Sequence, residues 1–302
     1  MSRRRVAVSI ALVITVAMAA VACGGDNSSS SSSNKPAVSI GTQAFGESEI
    51  AGQLYGQVLK ANGFAVKYQS FKDRGSIYTA LASNDVNFVP DYAASALEYL
   101  NKNAGEASSD ISVTMSKLDE RLKAKNLKAL EPSKAVDTNS LVVTKATAEK
   151  YNLKSISDLK DSMRLGGPQD CPTNGSCIPP LKSVYGIDMS KNFVPLDLGG
   201  PLTKKALQNG DIDVAVLFST DSSIASNGWV ELKDDKGIFK SDNIVPVVTN
   251  DLAANAELVR LANEVSAKLT TENVTAMNKQ FDVDKEDAAT IAKDFLSKNG
   301  LS

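Results

Sequence analysis

The 302-residue sequence contains no histidine. That absence removes the commonest general base and the commonest metal ligand. Cysteine is nearly as scarce: of three copies, Cys23 closes an apolar N-terminal run, which leaves only Cys171 and Cys177 for the rest of the chain. Two thiolates without histidine are too few ligands for a structural metal site. No Gly-rich phosphate loop is present, because Leu198-Gly199-Gly200-Pro201 lacks the Lys and Ser/Thr of a P-loop. Adjacent acids do occur in Lys233-Asp234-Asp235-Lys236-Gly237, a composition that reads as a solvated turn and not as an acid–base pair. An enzyme is therefore not expected, and neither is a cofactor or a metal. A large charge excess is missing as well, with 33 Lys+Arg against 35 Asp+Glu, which argues against a nucleic-acid partner.

The N-terminus carries the compartment signal. Ser2-Arg3-Arg4-Arg5 is cationic, Val6 to Ala22 is almost wholly apolar, and Ala20-Val21-Ala22-Cys23 is followed by Gly24-Gly25. Small residues running into one cysteine read as a signal peptide over 1–22 with a lipobox, and Cys23 is the expected lipidation site. Arg3-Arg4 leaves both the general and the twin-arginine export routes open. Loss of 1–22 removes three Arg and no acid, leaving 30 Lys+Arg against 35 Asp+Glu. Residues 23–36 hold a serine tract too poor in apolar groups to fold, and read as a flexible tether. Outside the cytoplasm, Cys171 and Cys177 are expected to pair as a staple on a small loop, contributing roughly 2 kcal/mol.

From Ala37 onward short apolar runs alternate with helical periodicity, the pattern of an α/β protein. Strands are expected at Val38–Ile40, Val86–Val89, Leu141–Val143 and Val214–Phe218. Ile50, Leu54 and Val58 share one helix face that ends before Gly63, and three amphipathic stripes fill the chain from Leu258 to Phe295. One internal repeat stands out: Ala80-Leu81-Ala82-Ser83-Asn84-Asp85-Val86-Asn87 is echoed by Ala206-Leu207-Gln208-Asn209-Gly210-Asp211-Ile212-Asp213. In each copy an aromatic ring, Tyr92 or Phe218, follows the strand. Ligands in open α/β sheets bind beyond the carboxyl ends of strands, so two such units face to face would aim both rings into one cleft. The competing reading is chance likeness between two common helix–turn–strand units. A folded chain of about 270 residues suits two lobes better than one. They are expected at 37–138 plus 246–302 and at 139–245, with the two crossings forming a hinge.

Several segments resemble a known family: Ser39-Ile40-Gly41-Thr42-Gln43-Ala44-Phe45 with Glu47, Pro90-Asp91-Tyr92-Ala93-Ala94-Ser95-Ala96-Leu97, Tyr151-Asn152-Leu153-Lys154-Ser155-Ile156-Ser157-Asp158-Leu159 and Phe218-Ser219-Thr220-Asp221. Together they resemble the substrate-binding proteins of quaternary-amine ABC importers, the glycine betaine/choline/carnitine (ProX-like, OpuAC-type) family. The resemblance implies a two-lobed periplasmic-binding-protein type II fold and a small osmolyte-like solute. It also implies partners: an ABC permease with its ATPase subunit, and the membrane through a lipid anchor, with the receptor acting as a monomer. In that family aromatic rings hold a trimethylammonium group by cation–π attraction. By position, Tyr92 and Phe218 look like cage rings, Gln43 and Phe45 sit in the loop that lines the cleft, and Thr220 and Asp221 offer a hydroxyl and a carboxylate from the other lobe.

Departures from the family pattern bear on the ligand. Asp137-Thr138-Asn139 stands where many relatives read Asp-Thr-Tyr, so a cage ring becomes Asn139, and Ala93-Ala94-Ser95 replaces Thr-Gly-Thr. Loss of one ring costs about 1 kcal/mol for a cation, roughly fivefold in affinity. Gln43 and Asn139 favour a neutral polar solute, while Asp221 favours a cation. Three readings stay open at this point: a quaternary-amine receptor, a receptor of the same fold for a neutral polar or aromatic solute, and a surface lipoprotein that binds a protein or cell-wall partner.

Overall fold

The computed structural model describes residues 35–301 apart from Asp170 and Leu198. The expected leader at 1–22, Cys23 and the serine tract through Asn34 lie outside the described residues. Two mixed five-stranded sheets organise the rest. The first contains β1 (Val38–Gln43), β2 (Val66–Phe71), β3 (Phe88–Tyr92), β4 (Leu127–Ala129) and β10 (Ile244–Thr249), in the order β2-β1-β3-β10-β4. The second contains β5 (Asn139–Val143), β6 (Leu165–Pro168), β7 (Phe193–Leu196), β8 (Val214–Phe218) and β9 (Val230–Glu231), in the order β7-β6-β8-β5-β9.

Each sheet is built in the same way. Three parallel strands are followed by one strand running antiparallel to the third: β10 opposite β3, and β5 opposite β8. The sequence repeat maps onto this symmetry. Asp85 N donates to Ala80 O and Asp211 N donates to Ala206 O, both at 2.9 Å. Between them Asn84 and Gly210 take the left-handed conformation, with φ of 59° and 77°, which lets each helix stop and hand over to its strand. The two segments are thus one helix-stop device used twice, and chance likeness does not account for it.

Helices cover both faces of the first sheet. Val38, Ile40, Phe88, Ile244 and Val248 point to one core, shared with the helices Gly46–Ala61, Ala256–Lys268, Thr271–Asp282 and Ala288–Lys298. Val89, Val245 and Val247 point the other way, against Ile77, Leu97, Leu118 and Leu122. β10 is buried along both faces, which is why it reads as a continuous apolar run and not as an alternation. The second sheet divides likewise: Leu141, Val143, Leu165, Val214 and Val216 face one core, and Val142, Ala215 and Leu217 the other. Cys171 and Cys177 are bonded to each other, with Cα atoms 5.2 Å apart, and both are buried in the first of these two cores.

The expected second strand, Val86–Val89, lies at Phe88–Tyr92 instead. Val86 is buried but belongs to the turn, where its N–H bonds back to Ala80 O. Placing the strand two residues later brings Tyr92 to its final position. The C-terminal stripes form helices over Ala256–Lys268, Thr271–Asp282 and Ala288–Lys298.

Candidate ligand-binding cleft

The chain crosses between the two sheets twice, and the crossings are tied to each other. Val136 and Asn243 form an antiparallel bridge, and Asp137 N donates to Asp242 O at 3.0 Å. Ser219 holds the first crossing on the side of the second sheet: its N–H donates to Thr138 O at 2.9 Å, and its hydroxyl accepts from Thr138 N at 3.0 Å. A short two-stranded ribbon therefore joins the sheets, and each of its strands carries a carboxylate, Asp137 or Asp242.

Above this ribbon lies a cavity of about 410 Å³, a size suited to a small solute. Gln43, Phe45, Glu47, Tyr92 and Ser95 line it from the first sheet and its helices, and Phe218, Thr220, Asp221 and Lys204 from the second. Asn278 and Asp282 enter from the helix Thr271–Asp282. The rings of Phe45 and Tyr92 stack at 6.1 Å with an interplanar angle of 27°. Phe45 is 42% exposed while Tyr92 is 5%, so one ring is available at the rim and the other is seated in the wall. Phe218 stands across the cavity. Gly199, with φ of 63°, runs beneath it, and an added Cβ would approach the ring at 3.6 Å. Gly46 opens the helix after Phe45, where any Cβ would collide with the Phe281 ring.

Polar atoms of the wall form a chain. Tyr92 Oη donates to Glu47 Oε1 at 2.8 Å, and Asn278 Nδ2 donates to the other oxygen of Glu47 and to Thr220 O at 3.2 Å. Thr220 Oγ1 donates to Asp137 Oδ1 at 2.6 Å, and Ser95 donates to Asp242 through both N and Oγ, at 3.0 and 2.6 Å. The Asn278 amide thus spans residues of both halves. Burial pushes the Glu47 carboxyl up against the hydrogen bonds that hold it down, and pushes Asp137 well above the usual carboxylate range, with the nearby Glu47 charge adding to the effect. Asp242 is raised to about 6, again chiefly by burial. Burial and the Glu47 carboxylate hold the Tyr92 phenol well above its ordinary value, so it stays a donor.

The two cations at the cavity are already engaged. Arg74 places Nε and Nη2 on Asp91 at 3.0 and 2.9 Å, and Lys204 Nζ lies 2.8 Å from Asp221 Oδ2. Asp91 is 1% exposed and also accepts from Tyr78 Oη at 3.2 Å. Its place in Pro90-Asp91-Tyr92 is therefore structural, anchoring the helix Arg74–Ala82 to β3. Asp221 caps the helix Ser222–Ser226 through Ser223 N at 2.9 Å. Among the described residues no ion pair reaches Glu47, Asp137 or Asp242, and no cluster of His, Cys, Asp or Glu is arranged to hold a metal.

Of the seven binding residues expected from sequence, Gln43, Phe45, Tyr92, Phe218, Thr220 and Asp221 meet at this cavity. Asn139 does not line it. It begins β5 opposite Phe218, but its Nδ2 donates to Ser176 O of the disulfide loop at 3.1 Å. Its side chain lines a smaller recess next door with Ser95, Asp137 and Phe218. Sequence reasoning missed Arg74, Asp137, Lys204, Asp242, Asn278 and Asp282 as wall residues and gave Glu47 no role. The two acids of the ribbon, Asp137 and Asp242, were within reach, because they lie near the expected crossings. Asn278 was not, since its partner Glu47 lies 231 residues away.

Comparison with known proteins decides the family. Residues 36–298 match the model of the OpuAC family, the substrate-binding domain of ABC-type glycine betaine transport systems. The chain belongs to that family. Its members are binding domains and not enzymes. A crystal structure of a glycine betaine/carnitine/choline ABC transporter protein superimposes with a TM-score of 0.78 at 26% identity, over 88% of this chain and 99% of the other. The two sheets are accordingly those of a type II periplasmic-binding-protein fold. The carnitine transport binding protein OpuCC of Listeria monocytogenes is 30% identical over 168 residues, 54% of each chain, so this match spans about half the length of that relative. A glycine-betaine-binding protein of Pseudomonas aeruginosa is 24% identical over 279 residues, 87% of this chain and 88% of the other.

Proposed function

We propose that this OpuAC-family chain is the extracytoplasmic receptor of an ABC importer. It captures a small quaternary amine of the glycine betaine, choline or carnitine class and delivers it to a permease driven by a separate ATPase subunit. One observation carries the reading: Phe45, Tyr92 and Phe218 share a cavity with three carboxylates, Glu47, Asp137 and Asp242, that form no ion pair among the described residues. Aromatic faces attract a quaternary ammonium by about 0.5–2 kcal/mol per ring, and uncompensated carboxylates add long-range attraction. The relatives named for carnitine and glycine betaine support the same ligand class.

Closure follows from the hinge ribbon. Ligand favours whichever arrangement of the lobes places rings and carboxylates on both sides of it, and the population shifts accordingly. In this reading the leader is removed, Cys23 is acylated, and the serine tract lets a monomeric domain reach its permease from the membrane surface. Replacement of Cys23 by Ser is expected to abolish incorporation of labelled fatty acid.

Thermal melting against betaine, choline, carnitine, sugars, amino acids and phenolic compounds tests the ligand class. A true ligand at a hundred times its dissociation constant adds about 2.7 kcal/mol and raises the midpoint by several degrees. A shift with an amine that disappears in Tyr92→Ala supports the reading. A shift only with a neutral solute replaces it with the same fold serving a different ligand, and silence across the panel moves the function to a protein or cell-wall partner.

A further inference from the structure

The ribbon that joins the sheets has a second face. On its first strand Asp137 lines the cleft, while its neighbours Val136 and Thr138 line a different recess; on its second strand Asp242 lines the cleft and Ser241 the recess. Side chains of an extended strand alternate between faces, so the ribbon carries its two carboxylates forward and turns its back to this recess. The recess measures about 360 Å³, room enough for a small solute.

Its charge is opposite in kind to that of the cleft. Lys154, Lys233 and Lys240 line it, and among the described residues none of the three enters an ion pair. Two of them come from adjoining backbone segments, since Lys233 N donates to Lys154 O at 3.1 Å. Like charges gathered without a counter-ion repel one another, and a multivalent anion relieves that repulsion. The acids of the recess do not answer the lysines. Asp234 is engaged, accepting from Tyr185 Oη at 2.6 Å and from Phe239 N at 2.8 Å. Burial pushes the Glu231 carboxyl up, and no lysine charge holds it down. Both halves of the molecule contribute: Ser109 lies just ahead of the helix Ile111–Lys123 of the first, and Lys154 and Lys233 belong to the second. The Ser109 and Thr138 hydroxyls can donate to an anion.

We propose that the back of the ribbon is a second binding site, for a small multivalent oxyanion of the phosphate or sulfate type, and that its occupancy opposes closure of the cleft. The first part is independent of what the cleft binds, and the second rests on the receptor reading above. Drawing the lobes together in front of the ribbon parts the walls behind it, so an anion held across those walls favours the open arrangement. By linkage the anion and the cleft ligand then weaken each other by the same factor.

Isothermal titration of the purified chain with sodium phosphate and sodium sulfate, at low ionic strength, tests the site. Saturable binding is expected, weakened about threefold in Lys154→Gln or Lys233→Gln and about tenfold in the double variant, with melting curves establishing that each variant is folded. Lys293→Gln, on the helix Ala288–Lys298, removes the same charge elsewhere and should change nothing. Equal weakening in that variant, or no saturable binding, overturns the site. Phosphatidylglycerol vesicles tell a lipid headgroup from a free ion: sedimentation with them that the double variant abolishes assigns the headgroup, and its absence assigns the free ion. Glycine betaine, choline and carnitine are then titrated with and without saturating phosphate. The affinity of whichever amine binds should fall about threefold; an unchanged or higher affinity overturns the coupling and leaves the anion site standing. If none of the amines binds, the receptor reading and the coupling fail together, while the phosphate titration still decides the site.

Discussion

Asp242 makes the ligand-free protein less stable as pH rises, and the size of the effect follows from its surroundings. Its carboxyl is raised from 3.8 to about 6, mainly by burial, against the opposing hydrogen bonds of Ser95 and the charge of Arg74. The charged groups acting on it include Arg74 and Asp91, and its own charge acts on Asp137, which also feels the charge of Glu47. A group whose folded pKa exceeds its unfolded value binds protons more tightly in the native state. Its contribution is fully present below pH about 4 and is lost as pH rises through about 6. The displacement amounts to about 3 kcal/mol. Asp242→Asn abolishes that titration and keeps the shape. Urea unfolding of both proteins between pH 4 and 8, without ligand, should give a difference in stability that drifts by about 2.5 kcal/mol in favour of the variant as pH rises. A difference that stays constant across this range, or drifts the other way, refutes the reasoning. A bound quaternary cation should flatten the wild-type profile, because it stabilises the ionised form that burial disfavours.

Other perturbations separate the parts of the wall. Tyr92→Phe keeps the ring against Phe45 but removes the O–H accepted by Glu47 at 2.8 Å; it should cost about 1.5–3 kcal/mol in a melting experiment while leaving amine affinity within a few-fold, in contrast to Tyr92→Ala. Asn278→Ala leaves both Glu47 and Thr220 O without this donor. It should loosen the two halves and raise the radius of gyration of the ligand-free protein by small-angle scattering, and an unchanged radius would show that the amide does not hold them. The double replacement of Cys171 and Cys177 by Ser removes the bond between them and should cost roughly 2 kcal/mol, with dithiothreitol lowering the wild-type midpoint to the same value.

What sequence shows of this fold depends on where each contact lies along the chain. The helix-stop repeat was legible because Asp85 and Asp211 bond within five residues of themselves, so their geometry is written into adjacent letters. β2 was not. It is an edge strand with most of Val66–Phe71 exposed, and its apolar alternation lasts only through Val66 and Tyr68 before Ser70 breaks it. β6 was hidden for the opposite reason: Gly166 and Gly167 lie flush against Ile212 and Val216, where a side chain would collide, so a central strand reads as a turn. Two rings of the cleft, Tyr92 and Phe218, could be found because each ends a strand, and Phe45 lies two residues beyond the end of β1. The acids could not be weighed, because an acidic residue in sequence carries no record of whether a cation stands beside it.

That missing record is supplied only by the structure of the cleft. Asp91, Asp221 and Asp242 are the same letter, yet Arg74 pairs with the first and Lys204 with the second, while among the described residues the third has no ion pair and feels Arg74 only at longer range. The first two are structure: one anchors a helix to β3, and the other caps a helix. Asp242, with Asp137 beside it on the hinge ribbon, is left with hydroxyl and amide donors only. On the receptor reading proposed above, a cation entering the cleft would meet the same two strands that join the sheets. The same reading would couple ligand charge to lobe position through two residues, Asp137 and Asp242, that lie next to each other in space and 105 positions apart in the chain.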